Sequence, residues 1–324
     1  MNVDKKPGVY SPAFFICFSS RYKVENPQIY LAVFTGLGYK LTSVFLLCKF
    51  GINEEPKEIT MKTKLMLILA CALSLVVMVG CAATDSSHKN QQGWTVHDMN
   101  QPRPKVVTPG IESTQEQSGK APSDAVVLFD GTDLSQWESD KDGGPAKWIA
   151  KDGYAESVKD AGYIRTKQKF GSCQLHVEFA TPSKVTGTDQ GRGNSGVFLM
   201  GNYEVQVLDS YKNMTYADGT CSALYGRSAP LVNVSRKPGE WQSYDIIFHR
   251  PVFKGKQVVK KATFTVLHNG VVVQDNVALE GGTGWRGPHA ASAYEPHPDK
   301  MPIKLQDHGN PVRYRNIWIR ELAD

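Results

Sequence analysis

The stretch Cys173-Gln174-Leu175-His176-Val177-Glu178-Phe179 alternates strictly between apolar and polar side chains. Successive side chains on a β-strand point to opposite faces, so a period of two predicts a strand with one buried face. We expect the apolar members to face a core and His176 and Glu178 to face away from it. The stretch therefore predicts part of a sheet that is covered on one side.

Further strand patterns lie on both sides of this stretch. They cover residues 126–129, 196–200, 203–208, 241–248, 262–268, 271–274 and 314–320. Asn269-Gly270, between two of them, is the strongest short hairpin signal. No segment after Asp124 shows a helical period, and many strands with glycine-rich turns predict an all-β sandwich or barrel. About two hundred residues suit one domain, which we place at residues 123–324.

The segment that ends at Cys81 predicts export and lipid attachment. Met61-Lys62-Thr63-Lys64 is basic, residues 65–79 are apolar and uncharged, and Gly80-Cys81 follows. These are the parts of a secretory signal, predicted at 61–80. A cysteine directly after Gly80 resembles a bacterial lipobox. That resemblance implies cleavage before Cys81, acylation of its sulfur and a lipid anchor at the bacterial cell envelope, on the outer membrane or facing the periplasm. A simple signal anchor, or cleavage elsewhere, is the alternative.

The position of this signal peptide determines what we expect of the segments before and after it. Since a signal peptide must be N-terminal, we expect residues 1–60 to be a spurious extension from an early start codon, with an extra membrane segment as the alternative. Residues 81–122 are rich in Ser, Gln, Thr, Pro and Gly and predict a flexible tether. Cys173 and Cys221 then remain in the exported domain. They form either a disulfide or two buried free thiols, and the sequence is consistent with both.

Charge excludes one class of partner. The formal net charge is +5, and basic clusters such as residues 250–261 are interrupted by apolar side chains. Nucleic-acid binding needs a continuous basic surface, so we expect no nucleic-acid partner.

Six motifs, in order from residue 126 to the C-terminus, together resemble one family. They are Leu128-Phe129-Asp130-Gly131 with Leu134 and Trp137, Arg192-Gly193-Asn194-Ser195-Gly196, Tyr203-Glu204-Val205-Gln206-Val207-Leu208-Asp209, Ala223-Leu224-Tyr225-Gly226, Gly239-Glu240-Trp241, and Pro302-Ile303-Lys304-Leu305-Gln306-Asp307-His308-Gly309. The ordered set resembles the 3-keto-disaccharide hydrolase domain family. The resemblance implies a concanavalin- and laminarinase-like jelly-roll β-sandwich. It also implies a carbohydrate or glycoside substrate, often one already oxidised at C3.

The acidic strand 203–209 carries the first candidate catalytic residues. Glu204 and Gln206 share one face of a regular strand, whereas Asp209 falls on the other face unless a bulge intervenes. The spacing resembles the acidic strand of laminarinase-type hydrolases, in which a third acid stands where this chain has Gln206. That replacement argues against a mechanism with two carboxylates. A polar outer face without catalysis is the alternative.

Two loops carry further candidates. Arg192 and Asn194 lie in a glycine-rich loop that a ligand can approach closely, and their side chains suit sugar hydroxyls. The alternative is a structural turn in which the polar side chains form hydrogen bonds only with nearby backbone groups. Asp307 and His308 are candidate catalytic residues because histidine moves protons near neutral pH, and Gln306 is a candidate binding residue on the same segment.

Aromatic residues are the remaining candidates for substrate binding. Tyr225 and Trp241 offer ring faces to a sugar, although each is also a candidate core residue. His289, His297 and Asp299 lack the spacing of a closed zinc site, so we assign no metal ligands and leave a divalent cation open.

The leading functional hypothesis is cleavage of a 3-keto-glycoside by a hydrolase or lyase. A base removes the C2 proton and the glycosidic oxygen leaves C1 with help from an acid. His308 or Glu204 is the candidate base, with Asp209 or Asp307 as its partner. Conventional hydrolysis of a β-glucan, which needs two carboxylates about 5–9.5 Å apart, is one alternative. A carbohydrate-binding lipoprotein without catalysis is the other.

Overall fold

The computed structural model describes residues 29–34, 43–48, 61, 89–284 and 293–324. Contacts divide the chain into Met1–Pro102 and Arg103–Asp324. In the first unit, β1 (Ile29–Phe34) pairs antiparallel with β2 (Ser43–Cys48). Within the described ranges no helix is both long and apolar enough to cross a membrane. Apart from Met61, the predicted signal peptide and the predicted lipidation site Cys81 lie outside the described residues.

The second unit is built from antiparallel strands in two main sheets. Its strands are β3 (Val126–Phe129), β4 (Trp137–Ser139), β5 (Ile149–Lys151), β6 (Tyr154–Glu156), β7 (Ile164–Thr166), β8 (Cys173–Ala180), β9 (Ser195–Leu199), β10 (Tyr203–Val207), β11 (Gln242–His249), β12 (Val252–Lys254), β13 (Gln257–Lys260), β14 (Thr263–His268), β15 (Val271–Ala278), β16 (Lys304–Leu305) and β17 (Arg313–Glu321). The small sheet has the order β10-β9-β16-β7-β4. The large sheet has the order β15-β14-β11-β8-β17-β6-β5, and β3 also pairs with β17. The all-β jelly-roll sandwich expected from the sequence is confirmed.

The core lies between the inner faces of the two sheets. Leu175 and Val177 of β8 are fully buried, as the alternation predicts, and they join one apolar cluster with Val197, Val205 and Val207 of the small sheet. Burying apolar surface at about 25 cal/mol per Å² is the main stabilising term for such a core. Because alternate residues of β9 and β10 are fixed inward by this cluster, the residues between them must face outward.

The hairpin signal at Asn269-Gly270 is also confirmed. Their φ angles are 52° and 78°, the positive pair that a type I′ turn requires, and they join β14 to β15. Cys173 and Cys221 are buried free thiols, so the structure contains no bond between these two cysteines.

The last part of the predicted tether contacts the sandwich. Ile111 and Lys120 exchange backbone hydrogen bonds of 2.9 Å, which closes a small hairpin. Ser113 donates to the carboxylate of Glu178, and the guanidinium of Arg315 donates to the Thr114 carbonyl. Residues 103–122 therefore belong to the same unit as the strands.

Candidate active site

The outer face of the small sheet carries a continuous group of polar and aromatic side chains. Glu204 and Gln206 point outward from β10, because Val205 between them is in the core. Glu204 lies opposite Phe198 of β9, and Gln206 lies opposite Gly196. This regular register, without a bulge, places the two polar side chains in adjacent rows across the sheet.

The neighbouring strands extend both rows. Lys304 pairs with Phe198 on one side and with Arg165 of β7 on the other. In the second row, the Gln306 amide N–H donates to the Gly196 carbonyl, and Gln306 Nε2 donates to the Tyr163 hydroxyl at 2.5 Å. The first row therefore runs Glu204, Phe198, Lys304, Arg165, and the second runs Gln206, Gly196, Gln306, Tyr163.

The first row continues beyond the edge of β10. Val205 forms an antiparallel bridge with Leu224, so Tyr225 lies beside Glu204 on the same face. The Tyr225 amide N–H donates to the Glu204 carbonyl at 3.2 Å. Directly paired residues have Cβ atoms about 5 Å apart, so the tyrosine ring borders the carboxylate.

Glu204 is a buried carboxyl group on β10, the edge strand of the small sheet. It is 5 % exposed, and its carboxylate accepts no hydrogen bond from the residues that the structure describes. Burial raises the pKa of Glu204 from 4.5 to about 8, because the charged form loses its hydration. The carboxylate lies directly over Gly196, where a Cβ would overlap Glu204 Oε1. Glycine at position 196 therefore makes room for the carboxyl group.

Three carboxamide oxygens around Glu204 lack partners within the described part of the chain. They are Asn194 Oδ1, Gln206 Oε1 and Gln306 Oε1, all buried. Their amide nitrogens are held in place: Gln206 Nε2 donates to Gln190 Oε1 at 3.1 Å, and Asn194 Nδ2 donates to the Gln190 carbonyl at 2.7 Å. An unpaired buried acceptor costs about 1–3 kcal/mol, and a ligand hydroxyl that donates to it removes that cost. The face is therefore suited to a ligand with several hydroxyl groups.

The carboxylates of Asp140 and Glu138 on this face are paired with basic side chains. Lys304 Nζ lies 2.9 Å from Asp140 Oδ2, and Arg165 Nε lies 2.8 Å from Glu138 Oε1. Glu138 belongs to β4, four strands from β10. At about 4.8 Å per strand the two positions are about 19 Å apart, beyond the separation of the catalytic carboxylates in conventional glycosidases.

Arg192 and Asp209, predicted for binding and catalysis, form an ion pair away from Glu204. Arg192 Nε lies 2.7 Å from Asp209 Oδ2, and Arg192 also donates to the Tyr211 carbonyl at 3.0 Å. Asp209 lies beyond the end of β10 at Val207, and its carboxylate pairs with Arg192 instead of extending the face of Glu204. The two side chains thus join the loop before β9 to the segment after β10.

Asp307 and His308 lie at the end of β16 with different surroundings. The Asp307 carboxylate accepts backbone hydrogen bonds from Gly162 at 3.1 Å and from Gly309 at 2.8 Å, which fix the turn. His308 is exposed, and its carbonyl accepts a hydrogen bond from Asn310 Nδ2. Neither side chain has a contact with Glu204 in the structure.

Trp241 lies on the other sheet, beside β11. The Arg315 guanidinium stacks over its ring at 4.3 Å, and both residues line a cavity of about 490 Å³ under the 111–120 hairpin. Two ion pairs lie in this cavity, Arg315 with Glu178 at 2.7 Å and His176 with Asp245 at 2.7 Å. Within the described part of the chain, none of the buried polar atoms without a partner lines this cavity. Trp241 is therefore not part of the candidate site around Glu204.

Of the predicted site residues, the structure thus brings together Glu204, Gln206, Asn194, Gln306 and Tyr225. Tyr163 and Phe198, whose rings lie 5.8 Å apart on the same face, were not predicted. No local sequence signal identifies Tyr163, because it directly precedes β7, a strand of only three residues. In the described ranges, no three His, Cys, Asp or Glu side chains are grouped to hold a metal ion.

Comparisons with known proteins agree with the fold and with the motifs. Residues 124–320 match the family described as the 3-keto-alpha-glucoside-1,2-lyase-like domain. A 3-keto-disaccharide hydrolase from Bacteroides thetaiotaomicron is 24% identical over 312 residues, which cover 78% of this chain and 97% of that protein. A crystal structure from Parabacteroides distasonis, provisionally described as a glycosyl hydrolase, is 46% identical with a TM-score of 0.66, and the match covers 72% of this chain and 100% of that one. The chain belongs to the 3-keto-alpha-glucoside-1,2-lyase-like domain family.

Proposed function

We propose that this protein cleaves glycosides whose sugar is oxidised at C3, and that Glu204 transfers the proton. The family match and the name of the Bacteroides relative support a glycoside hydrolase-like activity on a carbohydrate. The observation that carries the finer proposal is the buried carboxyl group of Glu204, which has a raised pKa and lies among unpaired amide oxygens, whereas the buried Glu178 and Asp209 are paired with arginines. A general base works best when its pKa is near the working pH, and a value of about 8 meets that condition.

The chemistry follows from the position of the ketone. A carbonyl at C3 acidifies the C2 proton, and ionised Glu204 accepts that proton while the electron pair moves to the C3 oxygen as an enolate. The donors near this oxyanion are the Tyr163 hydroxyl group and those N–H groups of Lys304 that do not bond Asp140. The C3 oxygen then becomes a carbonyl again, and the electron pair moves back toward C2. A double bond forms between C1 and C2 as the bond from C1 to the glycosidic oxygen breaks.

One carboxyl group suffices for both proton transfers in this scheme. Glu204 carries the proton after the first step, and burial keeps it protonated near neutral pH until it returns that proton to the leaving oxygen. Addition of water to the C1–C2 double bond gives net hydrolysis, and release without addition gives a lyase product. Conventional hydrolysis requires a second carboxylate about 5–5.5 Å away in a retaining enzyme or about 6.5–9.5 Å away in an inverting one. Glu138, in the same row as Glu204, is about 19 Å away by strand spacing and does not meet either condition.

The test compares an oxidised and an unoxidised substrate. Purified protein is given 4-nitrophenyl 3-keto-glucoside and its unoxidised parent, and 4-nitrophenol release is followed. We expect release from the keto sugar alone, and a fall of at least about 100-fold in E204Q, the usual size of a general-base effect. The exposed Glu240 provides the control E240Q, which is expected to retain activity.

Two outcomes would overturn the proposal. Equal release from the unoxidised parent would indicate conventional glycoside hydrolysis. Sugar binding measured by calorimetry, with no release from either substrate, would indicate a carbohydrate-binding protein, since the same amide oxygens suit binding without turnover.

A further inference from the structure

Two tyrosines outside β10 form an exposed aromatic pair. Tyr216 is 43 % exposed and Tyr225 is partly exposed. Their hydroxyl oxygens are 2.6 Å apart, and their rings meet edge to face with centroids 6.3 Å apart. Large aromatic side chains are normally buried, and an exposed pair that is held rigidly is typical of a binding surface.

The backbone beneath Tyr216 holds its ring in place. The ring lies so closely over Gly219 that a Cβ at that position would overlap it. The Gly219 carbonyl accepts a hydrogen bond from Gln190 Nε2 at 2.9 Å, and the Gln190 side-chain oxygen accepts one from Gln206 Nε2 at 3.1 Å. The exposed ring is therefore connected through two hydrogen bonds to the buried polar centre of the candidate site.

The pair lies on one side of Glu204 and a second aromatic pair lies on the other. Tyr225 borders Glu204 across the edge of β10, whereas Phe198 borders it from β9, with Tyr163 beyond. A buried carboxyl group thus separates two aromatic surfaces along the row that crosses the strands. Such an arrangement fits a ligand of two rings whose connecting atom lies at the carboxyl group.

The two sides differ in polarity. Lys304, Gln306 and Tyr163 lie on the β9 side and offer an ammonium, an amide and a hydroxyl group. On the outer side, the hydroxyl groups of Tyr216 and Tyr225 bond each other, which leaves mainly ring surface. The side with the donors suits the ring that becomes an enolate, and the aromatic side suits a ring that only has to be held.

We propose that Tyr216 and Tyr225 form the subsite for the leaving group, the sugar or aryl ring that departs from C1. This inference rests on the proposed function, because only a cleaved glycoside has a leaving group. Tyr216 supplies the exposed ring face, Tyr225 fixes its orientation, and Gly219 allows the close approach. The pair determines which leaving groups are accepted and takes no part in proton transfer.

The experiment varies the leaving group. The 3-keto-glucosides of methanol, 4-nitrophenol and glucose are compared with the parent protein, Y216A and Y216F. We expect Y216A to raise KM about fivefold to tenfold for the two ring leaving groups and to leave the methyl glycoside unchanged, since one stacking contact is lost. Y216F keeps the ring but loses the hydroxyl bond to Tyr225, so it is expected to raise KM less than Y216A for the two ring leaving groups and to leave the methyl glycoside unchanged. M214A, which alters an 89 % exposed side chain in the same loop, is the matched control.

Binding of unoxidised 4-nitrophenyl and methyl glucosides to the same variants, measured by calorimetry, tests the subsite without turnover. Weaker binding of the nitrophenyl compound alone in Y216A supports the subsite even when no substrate is cleaved, in which case only the proposed reaction fails. An equal change for ring and methyl leaving groups in both measurements, or no change in either, would overturn the subsite.

Discussion

Replacing Glu204 by Gln is expected to stabilise the protein at alkaline pH. Glutamine keeps the shape of the side chain and cannot ionise, so it avoids the cost of a buried charge. The folded protein raises the pKa of Glu204 from 4.5 to about 8. At high pH the parent therefore loses free energy of unfolding through ionisation of the buried carboxyl group, and the variant does not.

The pH range follows from the sign of the shift. Below pH 4.5 Glu204 is protonated in the folded and unfolded states and contributes nothing. Between 4.5 and about 8 only the unfolded state releases the proton, so the free energy of unfolding falls as pH rises. At about 1.4 kcal/mol per pH unit, the expected gain of E204Q is about 3 kcal/mol at pH 7 and about 5 kcal/mol above pH 8.

The assay is equilibrium unfolding in urea at pH 5, 7 and 9 for the parent, E204Q and the exposed control E240Q. The difference between E204Q and the parent should be small at pH 5 and grow with pH, whereas E240Q should follow the parent throughout. A constant difference at all three pH values, or a loss of stability in E204Q that grows with pH, would refute the argument from burial.

Four further outcomes are expected. The value of kcat/KM for a 3-keto-glucoside should rise with pH and level off above about 8, because Glu204 of the free enzyme must be ionised to accept the proton. The variant G196A should lower kcat/KM at least about tenfold, because its methyl group overlaps the carboxylate of Glu204. R192Q should lower the free energy of unfolding in urea by about 3 kcal/mol, because it leaves Asp209 buried without its partner. C81S should abolish incorporation of radiolabelled palmitate in bacterial cells, because the lipobox resemblance places acylation at that sulfur.

Each of these has a contrary result. A kcat/KM that falls above pH 7 would make protonated Glu204 the active form in the free enzyme, and full activity of G196A would show that the carboxyl group can move aside. Unchanged stability of R192Q would mean that the ion pair is not structural. Label that persists in C81S and disappears in C71S would place acylation at Cys71 instead.

Much of the fold and part of the site follow from local patterns. The period of two in residues 173–179 is a local property, and it correctly separates Leu175 and Val177 from His176 and Glu178. The same reasoning places Glu204 and Gln206 on one face, and it predicts that Asp209 faces the other way unless a bulge intervenes. The structure has no bulge in the pairing of β9 with β10, so this parity holds from Tyr203 to Val207. Asp209 lies beyond the strand, where it pairs with Arg192.

The positions of the other site residues depend on which strands pair with each other in the sheets. Trp241 precedes β11, which pairs with β8 and β14 in the large sheet, and no local pattern in its own segment indicates that choice. Tyr163 precedes a strand of only three residues, too short for alternation to identify it. The ion pair of Arg192 and Asp209 joins residues seventeen apart in sequence and depends on how the loops fold together.

The central claim is that Glu204 removes a proton from C2 beside a ketone. The most direct measurement is a single-turnover comparison of 4-nitrophenyl 3-keto-glucoside carrying hydrogen or deuterium at C2, which isolates the chemical step from product release. Slower release from the deuterated substrate, with no release in E204Q, is the predicted result. Equal rates for the two substrates, or undiminished release in E204Q, would contradict the account.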